Sequence, residues 1–197
     1  MQKLLNWLFP TQCVACGQGR DPVCSGCKPV FAPSHFVRGE QQLTALTEFE
    51  GSFKNLLEGY KDKNLVSLKP PLVELLRLQL ARAETPSFDL VMVPPRNSKN
   101  YRKRGFDPAL DIARGGFGRN FVRSFRATRK LQDQRTLNAR RRIENVAMSF
   151  YAGDLSGRRV LLFDDVCTTG ATMLEMARAS RASGAQVVAS WVLAQRI

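Results

Sequence analysis

The stretch that decides the fold runs from Val160 to Thr172 and reads Val-Leu-Leu-Phe-Asp-Asp-Val-Cys-Thr-Thr-Gly-Ala-Thr. Its first four residues are apolar without alternation, which is typical of a strand buried on both faces in a parallel sheet covered by helices. Asp164 and Asp165 follow directly, and in such sheets the carboxyl end of a strand carries the ligand crevice. Because two adjacent acids are costly to bury without a cation or hydroxyl to bind, we predict that both contact a ligand.

The residues after the acids predict a phosphate-binding loop. Three of them carry hydroxyls, and a glycine lets a ligand approach the backbone closely; they are Thr168, Thr169, Gly170 and Thr172. A helix is predicted to begin near Ala171, with its free amides and positive dipole end facing the same loop. Since only two residues separate the acids from the loop, one ligand should carry hydroxyls or a metal beside a phosphate, as ribose 5-phosphate does. The alternative, a solvated acid pair before an ordinary N-capped helix, would need only one capping residue.

The same stretch resembles the 5-phosphoribosyl 1-pyrophosphate (PRPP) binding signature of type I phosphoribosyltransferases: an apolar strand, Asp-Asp-Val, any residue, then Thr-Thr-Gly-Ala-Thr. The resemblance implies that Asp164 and Asp165 hold the ribose 2- and 3-hydroxyls, while the loop holds the 5-phosphate. The PRPP-binding residues expected besides the acids are Val166, Cys167, Thr168, Thr169, Gly170, Ala171 and Thr172. Helix amides could lower the pKa of Cys167, but we interpret this residue as a small filler in preference to a nucleophile.

Length and charge narrow the class of protein. The 197 residues suit one domain with a small appendage, and the net charge of +13 predicts polyanionic partners, either nucleic acid or phosphorylated small molecules. No apolar run reaches the roughly 18 to 20 residues of a membrane span, and the opening segment is too short for a signal peptide. We therefore expect a cytoplasmic protein in which Leu4 to Phe9 form a short helix docked on the main domain.

Four cysteines near the N-terminus have the spacing of a structural zinc site. Two Cys-x2-Cys pairs supply them, and they are Cys13, Cys16, Cys24 and Cys27. Four thiolates make a closed tetrahedral site, and zinc would replace a core that about thirty residues cannot supply. Two disulfides are the alternative, which a cytoplasmic chain disfavours. We predict a zinc-knuckle module over residues 1–35 and the main domain over 36–197, with His35 at the surface rather than among the ligands.

The remaining sequence pattern is that of an α/β protein. Apolar runs and helical spacing predict a strand at 43–49, a helix after residue 51, a helix at 71–83, a strand at 88–93, a helix at 108–113, a short strand near 121–125, a helix at 171–183 and a strand at 186–194. Gly115 and Gly116 are expected to interrupt the helical region that begins at residue 108, and Lys61 and Lys63 to lie in a solvated linker. The predicted fold is a type I phosphoribosyltransferase-like parallel sheet flanked by helices.

Half of the cations lie between residues 96 and 142. This segment holds fifteen of the thirty lysines and arginines against three acids. A loop after the strand at 88–93 would bring a group of residues to the ligand edge of the sheet, where they could bind a pyrophosphate; they are Arg96, Lys99, Arg104 and Gly105. A solvated basic loop is the alternative. Further along, we predict a mobile basic loop that carries Gln134, Arg140, Arg142 and Asn145.

Taken together, these features resemble the ComF/GntX-type phosphoribosyltransferase-like proteins, which are associated with DNA uptake and DNA utilisation. The features, in chain order, are the cysteine knuckle, Arg104-Gly105-Phe106, the set Gln134, Arg142 and Asn145, and the PRPP signature. The resemblance implies an enzyme that binds PRPP with Mg²⁺ and transfers its phosphoribosyl group to a nitrogen acceptor. It assigns catalytic roles to Asp164, Asp165 and Arg104.

Two other functions stay open at this point. The same fold could serve as a non-catalytic PRPP- or nucleotide-sensing protein, or as a single-stranded DNA-binding competence factor. Family members often continue Arg-Gly-Phe with Asn-Gln, where this chain has Asp107 and Pro108. The partners implied are PRPP or a related ribose phosphate, with single-stranded DNA or other DNA-uptake proteins as further candidates. The sequence leaves the oligomeric state open.

Overall fold

The structure, a computed structural model, describes residues 12–13, 16–19, 21, 23–27, 33–82, 85–132 and 137–196. The helix predicted from Leu4 to Phe9 and the predicted loop residue Gln134 lie outside these ranges. Among the described residues, no helix has both the length and the apolar character needed to cross a membrane.

A six-stranded sheet forms the centre of the molecule, and a two-stranded sheet lies apart from it. The strands are β1 (Ser34–Arg38), β2 (Gln41–Glu48), β3 (Leu90–Val93), β4 (Val122–Ser124), β5 (Arg126–Ala127), β6 (Phe150–Tyr151), β7 (Arg159–Cys167) and β8 (Gln186–Gln195). The order in the large sheet is β1-β2-β8-β7-β3-β4, and all neighbours are parallel except β1 with β2. β5 and β6 pair antiparallel in the small sheet.

Helices cover both faces of the large sheet. They are α1 (Gly51–Asp62), α2 (Lys69–Arg82), α3 (Ser98–Arg104), α4 (Pro108–Phe117), α5 (Ala139–Val146) and α6 (Ala171–Ala182). Short 3-10 turns occur at Ser25–Cys27, Val66–Leu68 and Arg119–Phe121. The fold class predicted from the sequence, a largely parallel sheet flanked by helices, is confirmed.

The apolar run of β7 contributes side chains to two hydrophobic cores, one on each face of the sheet. Leu161 and Phe163 pack with α1, α2 and α4 on one face of the sheet. Val160 and Leu162 pack with α6 on the other face. Because successive side chains of a strand point to opposite faces, a strand covered on both sides needs apolar residues without alternation. The central position of β7 therefore explains why Val160 to Phe163 are all apolar.

The prediction that two glycines interrupt the helix after residue 108 is wrong. Helix α4 continues through both of them to Phe117. A Cβ on Gly115 would lie 2.5 Å from Val73 Cγ2, and a Cβ on Gly116 would collide with Leu76 Cδ2. Val73 and Leu76 belong to α2, so the glycines let the two helices approach closely. Their role here is packing, which outweighs the modest cost of glycine inside a helix.

Two segments predicted as loops are helical. The basic segment after β3 contains α3, which begins after Asn97, whose side chain accepts from the Asn100 amide at 3.1 Å. The predicted mobile basic loop contains α5, which begins after Asn138, whose side chain accepts from the Arg141 amide at 2.9 Å. In both cases an asparagine N-cap satisfies a free helix amide, a local signal that the density of positive charge obscured.

Two residues of the predicted zinc-knuckle module, Val23 and Cys27, pack against the main fold. Val23 is buried in the core that contains Phe163, and Cys27 packs against it. The predicted boundary between residues 35 and 36 falls inside β1, which pairs with β2. The division into two domains stays a prediction.

Candidate functional site

A pocket of about 470 Å³ opens at the carboxyl ends of β3 and β7. The predicted site residues that line it are Arg96, Arg104, Arg142, Asp164, Asp165, Val166, Thr168 and Thr172. They come from both halves of the chain. The parallel arrangement of β3 and β7 brings them together, because the carboxyl ends of parallel strands meet at one edge of the sheet.

The two acids lie within the last part of β7, which continues to Cys167, whereas the sequence placed them directly after the strand. Asp164 stands opposite Val192 of β8, and its Oδ1 accepts from the Asp165 amide at 2.8 Å. Burial and, next, the charge of Asp165 raise the pKa of Asp164 well above its usual range. An ionised Asp164 is therefore unfavourable in the free protein, so hydroxyls or a cation from a ligand would stabilise it.

Lys61 is a pocket residue that the sequence argument placed in a solvated linker. It lies in the last turn of α1, and its Nζ is 2.6 Å from Asp165 Oδ2. The two side chains are only 21% and 15% exposed. The signal that could have found it is helical spacing: Leu57 is fully buried, and Lys61 follows it by four positions on the same helix face. The linker prediction for Lys61 is wrong.

The loop between β7 and α6 has the form expected of a phosphate-binding loop. Gly170, at φ +80°, directly precedes α6, which begins at Ala171 as predicted. Thr169 Oγ1 accepts from the Ala171 amide at 3.4 Å. Two arginines contact Thr168: Arg142 Nη1 donates to its Oγ1 at 3.3 Å, and Arg38 Nε donates to its carbonyl oxygen at 3.3 Å. The loop thus joins hydroxyls, helix amides and guanidinium groups, a suitable environment for an anion.

Cys167 is buried at the base of this loop. Burial and, next, the charge of Asp164 raise the pKa of its thiol to about 11. These effects outweigh the lowering by a backbone amide of the loop, so the thiol is protonated at neutral pH. This agrees with its interpretation as a small filler and argues against a thiolate nucleophile.

Cations from α1, the β3–α3 connection and α3 also line the pocket. Arg104 Nη2 lies 2.8 Å from Asp62 Oδ1, and its side chain is only 9% exposed. The Arg96 guanidinium lies over the ring of Tyr101, 4.3 Å from its centroid. Lys99, by contrast, is exposed and is not part of the pocket lining, and Gly105 ends α3 in the left-handed region at φ +81°. Of the predicted pyrophosphate residues, the two arginines are therefore the ones that face the pocket.

Asp107 is a further acid of the pocket, which the sequence argument did not include in the site. It caps α4 by accepting from the Leu110 amide at 3.2 Å, and it also lines the pocket. Burial raises its pKa, and the charges of Asp165 and Asp111 add to this, while Arg96 opposes it. The charges of both Asp165 and Arg96 therefore act on Asp107.

The residues of α5 divide into two roles. Arg142 reaches Thr168, so α5 is joined directly to the loop. Asn145 is 9% exposed and makes two 3.0 Å hydrogen bonds to the backbone of Gln132, accepting from its amide and donating to its carbonyl. Gln132 itself lines the pocket. Asn145 therefore anchors a pocket segment.

The four N-terminal cysteines converge as their spacing predicts. All of their sulfur atoms lie within 4.8 Å of one another, and Cys16 Sγ is 3.8 Å from Cys24 Sγ. Tetrahedral zinc with Zn–S bonds of about 2.3 Å separates its sulfur ligands by about 3.8 Å. All four are free thiols, so the structure does not contain the alternative pair of disulfides. The cluster fits a tetrahedral metal ion.

Residues 122–197, which contain the acid pair and the loop at Thr168, match the phosphoribosyl transferase domain family. Over 98% of its length the chain is 23% identical to the DNA utilization protein YhgH of Escherichia coli O6:H1, 92% of which is covered. It is 22% identical, with the same coverage, to the protein of that name from Escherichia coli O157:H7. The resemblance to phosphoribosyltransferase-like proteins of the DNA utilization kind is confirmed.

Solved structures with a similar chain path were also found. One is the UMP synthase of Leishmania donovani, at TM-score 0.43 and 19% identity, where the match covers 72% of this chain but only 24% of that one. Another is the adenine phosphoribosyltransferase of Thermoanaerobacter pseudethanolicus, at TM-score 0.42 and 17% identity, with 84% of this chain and 83% of that chain covered.

Proposed function

We propose that the protein binds PRPP together with Mg²⁺ and transfers its phosphoribosyl group to a nitrogen acceptor, releasing pyrophosphate. The observation that carries the proposal is the set of chemical groups that line one pocket. Hydroxyls, the acid pair and cations line it together, and among these residues are Thr168, Thr172, Asp164, Asp165, Lys61, Arg96, Arg104 and Arg142. A ligand that combines hydroxyls with two anionic groups fits this set.

Two contacts in the free protein pair a cation with the loop and a cation with the acid pair. Arg142 bonds to Thr168 of the loop, whereas Lys61 bonds to Asp165 of the acid pair. Arg104 is tied to Asp62, the residue after Lys61. A ribose whose 5-phosphate occupies the loop could give its 2- and 3-hydroxyls to Asp164 and Asp165, with its anomeric substituent directed toward the cations. Pyrophosphate at that carbon would meet guanidinium and ammonium groups, which bind phosphate oxygens well.

The transfer would proceed as a displacement at the anomeric carbon. The bond from that carbon to the pyrophosphate oxygen breaks, the pyrophosphate leaves with the electron pair, and a bond to the acceptor nitrogen forms while that nitrogen loses a proton. Lys61, Arg96 and Arg104 would stabilise the charge that develops on the leaving group. No nucleophilic side chain is required, in keeping with the protonated state of Cys167.

Two metal ions belong to the proposal. Carboxylate, hydroxyl and phosphate oxygens are the ligands that Mg²⁺ prefers, and bound Mg²⁺ would neutralise charge on the pyrophosphate. Zinc would be held by the four cysteines in a closed site, where its role is to stabilise the N-terminal residues. The arrangement of the sulfur atoms supports zinc in preference to magnesium at that position.

The experiment is a measurement of pyrophosphate release from PRPP in the presence of Mg²⁺ and a panel of nucleobases and amines. Release that depends on one acceptor class, and that is lost in Asp164→Asn/Asp165→Asn, is the expected result. Calorimetry on the same proteins separates binding from transfer. PRPP binding without release for any acceptor would favour the sensing alternative, and undiminished PRPP affinity in the folded double variant would contradict the site.

A second candidate function, binding of single-stranded DNA, is favoured by exposed cations outside the pocket lining. Arg126 and Arg141 are exposed on β5 and α5, and Tyr151, opposite Arg126 in the small sheet, is 55% exposed. Cations beside an exposed aromatic ring suit a nucleic-acid strand. Affinity should then fall with salt by about 0.7 log units per log unit for each phosphate neutralised.

The matched test replaces both arginines with glutamine. Arg126→Gln/Arg141→Gln should lower the salt slope by roughly 1.4 while PRPP affinity stays unchanged. Arg158→Gln removes an exposed cation at the amino end of β7, on the opposite edge of the sheet, and serves as the control. A wild-type slope near zero would exclude this candidate.

A further inference from the structure

We propose that Arg38 is a positioning residue for phosphate binding: it holds the carbonyl of Thr168 so that the following amide faces the ligand. The inference rests on the proposed function, because it assigns the loop between β7 and α6 to a phosphate group. Arg38 lies 130 positions before Thr168, on an edge strand outside the part of the chain that matches the phosphoribosyl transferase family.

The hydrogen bond from Arg38 fixes the direction in which the Thr168 carbonyl points. Arg38 Nε donates to the Thr168 carbonyl oxygen at 3.3 Å, and Arg38 does not line the pocket, whereas Thr168 does. In a trans peptide the C=O and the next N–H point in opposite directions. A Thr168 carbonyl directed at Arg38 therefore turns the Thr169 amide away from Arg38, next to a residue that lines the pocket. A backbone N–H in that orientation is a donor for an anion.

The side chain of Arg38 is itself held in place. Its guanidinium lies over the ring of Phe36, 4.9 Å from the centroid, and Nη1 donates to the Val37 carbonyl at 3.1 Å. Its aliphatic part covers Gly170: a Cβ on that glycine would lie 2.5 Å from Arg38 Cβ and 2.8 Å from Arg38 Cγ. Gly170 thus needs to be glycine both for its positive φ and for this close approach. The loop and the arginine fit against each other without room for another side chain.

The hairpin that carries Arg38 is fixed to the helix that follows the loop. A Cβ on Gly39, in the turn between β1 and β2, would lie 3.1 Å from Leu174 Cδ2 of α6. From a different direction, Arg142 of α5 donates to the Thr168 hydroxyl at 3.3 Å. Thr168 is therefore held through its carbonyl by one arginine and through its hydroxyl by another. This arrangement preorganises the loop before a ligand arrives, which lowers the ordering cost of binding.

The test compares two ligands that the proposed function assigns to different residues of the pocket. Ribose 5-phosphate would use the loop, and inorganic pyrophosphate would use the cations around Lys61. Arg38→Met keeps the aliphatic part over Gly170 and removes the donor. We expect its affinity for ribose 5-phosphate to fall about 10- to 100-fold, as for the loss of a charge-assisted hydrogen bond, while its affinity for pyrophosphate changes less than about twofold. Arg38→Lys, which retains a charged donor, should recover part of the loss.

A matched control comes from α6, whose Arg181 contacts the same hairpin. Arg181 Nη2 donates to Gln41 Oε1 at 3.1 Å, and neither residue lines the candidate site. Arg181→Met removes a guanidinium that supports β2 without touching the loop, so it should leave both affinities unchanged. The amide signal of Thr169 in nitrogen–proton correlation spectra gives a second measurement: it should shift on addition of ribose 5-phosphate in the wild-type protein and much less in Arg38→Met.

Three results would overturn the inference. They are an unchanged ribose 5-phosphate affinity in Arg38→Met, an equal loss for both ligands, and no binding of ribose 5-phosphate to the wild-type protein. The proposed transfer fails in a different way, when ribose 5-phosphate binds and depends on Arg38 but no acceptor releases pyrophosphate from PRPP.

Discussion

Lys61 Nζ lies 2.6 Å from Asp165 Oδ2, and this ion pair joins the end of α1 to the end of β7 across the pocket. It provides the acid pair with a resident cation when no ligand is bound. Asp164 and Asp165 would otherwise place two charges side by side in a partly buried position, where like charges disfavour ionisation. Under the proposed function, Lys61 is also within reach of the leaving group of a ribose bound at these acids.

Removing this ammonium group should weaken the binding of pyrophosphate and PRPP. We expect Lys61→Met to lower PRPP affinity at least about tenfold, and to lower the melting temperature by a few degrees because Asp165 loses its partner. Calorimetry and thermal unfolding measure the two effects. Lys63→Met, two positions further along and exposed, is the control, and equal PRPP affinity in the two variants would argue against a role for Lys61 in the site.

Asp164→Asn should stabilise the free protein while it abolishes ligand binding. The folded pKa of Asp164 is raised above its unfolded value, so its contribution to stability is fully present below the unfolded pKa and is lost as pH rises through the folded pKa. At pH 7 the neutral asparagine avoids this loss, and we expect the melting temperature to rise by about 2 to 4 °C per kcal/mol recovered. The difference should vanish near pH 3, where Asp164 is protonated. A lower melting temperature at pH 7 would contradict the electrostatic account.

Ligand binding should depend on pH through the same residue. A carboxylate accepts hydrogen bonds from ribose hydroxyls better when it is ionised, so binding should release a proton wherever Asp164 is protonated in the free protein. Affinity should therefore begin to fall, as pH is lowered, at a higher pH than the ordinary aspartate value of about 3.9 would give. Calorimetry in buffers of different ionisation enthalpy measures the released proton. A flat affinity down to pH 4 would be the contrary result.

The N-terminal cysteines should carry one zinc ion per chain. Purification without chelator followed by elemental analysis measures it directly, and Cys16→Ser/Cys24→Ser should lose it. Because the site is closed and lies away from the pocket lining, chelation should affect residues 12 to 27 far more than PRPP binding. Protein that contains no zinc, or that forms disulfides between these cysteines, would disagree with the sulfur geometry.

The elements that could be predicted from the sequence are those whose signals are local. β7, the loop at Thr168 and the start of α6 follow one another within thirteen residues, and each leaves its own pattern. The residues that were missed act across long separations. Arg38 contacts Thr168 from 130 positions away, and Lys61 meets Asp165 only because the parallel sheet brings α1 to the end of β7. Helical spacing from Leu57 could place Lys61 on the buried face of α1, but no periodicity in either segment identifies the contact partner.

The errors about glycine and basic residues have different origins. Gly115 and Gly116 have the composition of a helix end, yet the side chains of Val73 and Leu76 occupy the space where their Cβ atoms would lie. Tertiary packing decided this case against the local preference. A high density of arginine, by contrast, indicated a solvated or mobile segment around α5 and obscured the local signal of Asn138, which caps the helix from which Arg142 reaches into the site.

The boundary of the family match divides the pocket in an informative way. Asp164, Asp165 and the loop at Thr168 lie within residues 122–197, whereas Lys61, Arg96, Arg104 and Asp107 all lie before residue 122. Under the proposed function, the matched part of the chain supplies the pocket-lining groups for the sugar phosphate, and the part before it supplies those that would meet the pyrophosphate and the acceptor. Substitutions in α1, α3 and the start of α4 would then change the acceptor while the residues proposed to bind the sugar phosphate stay the same.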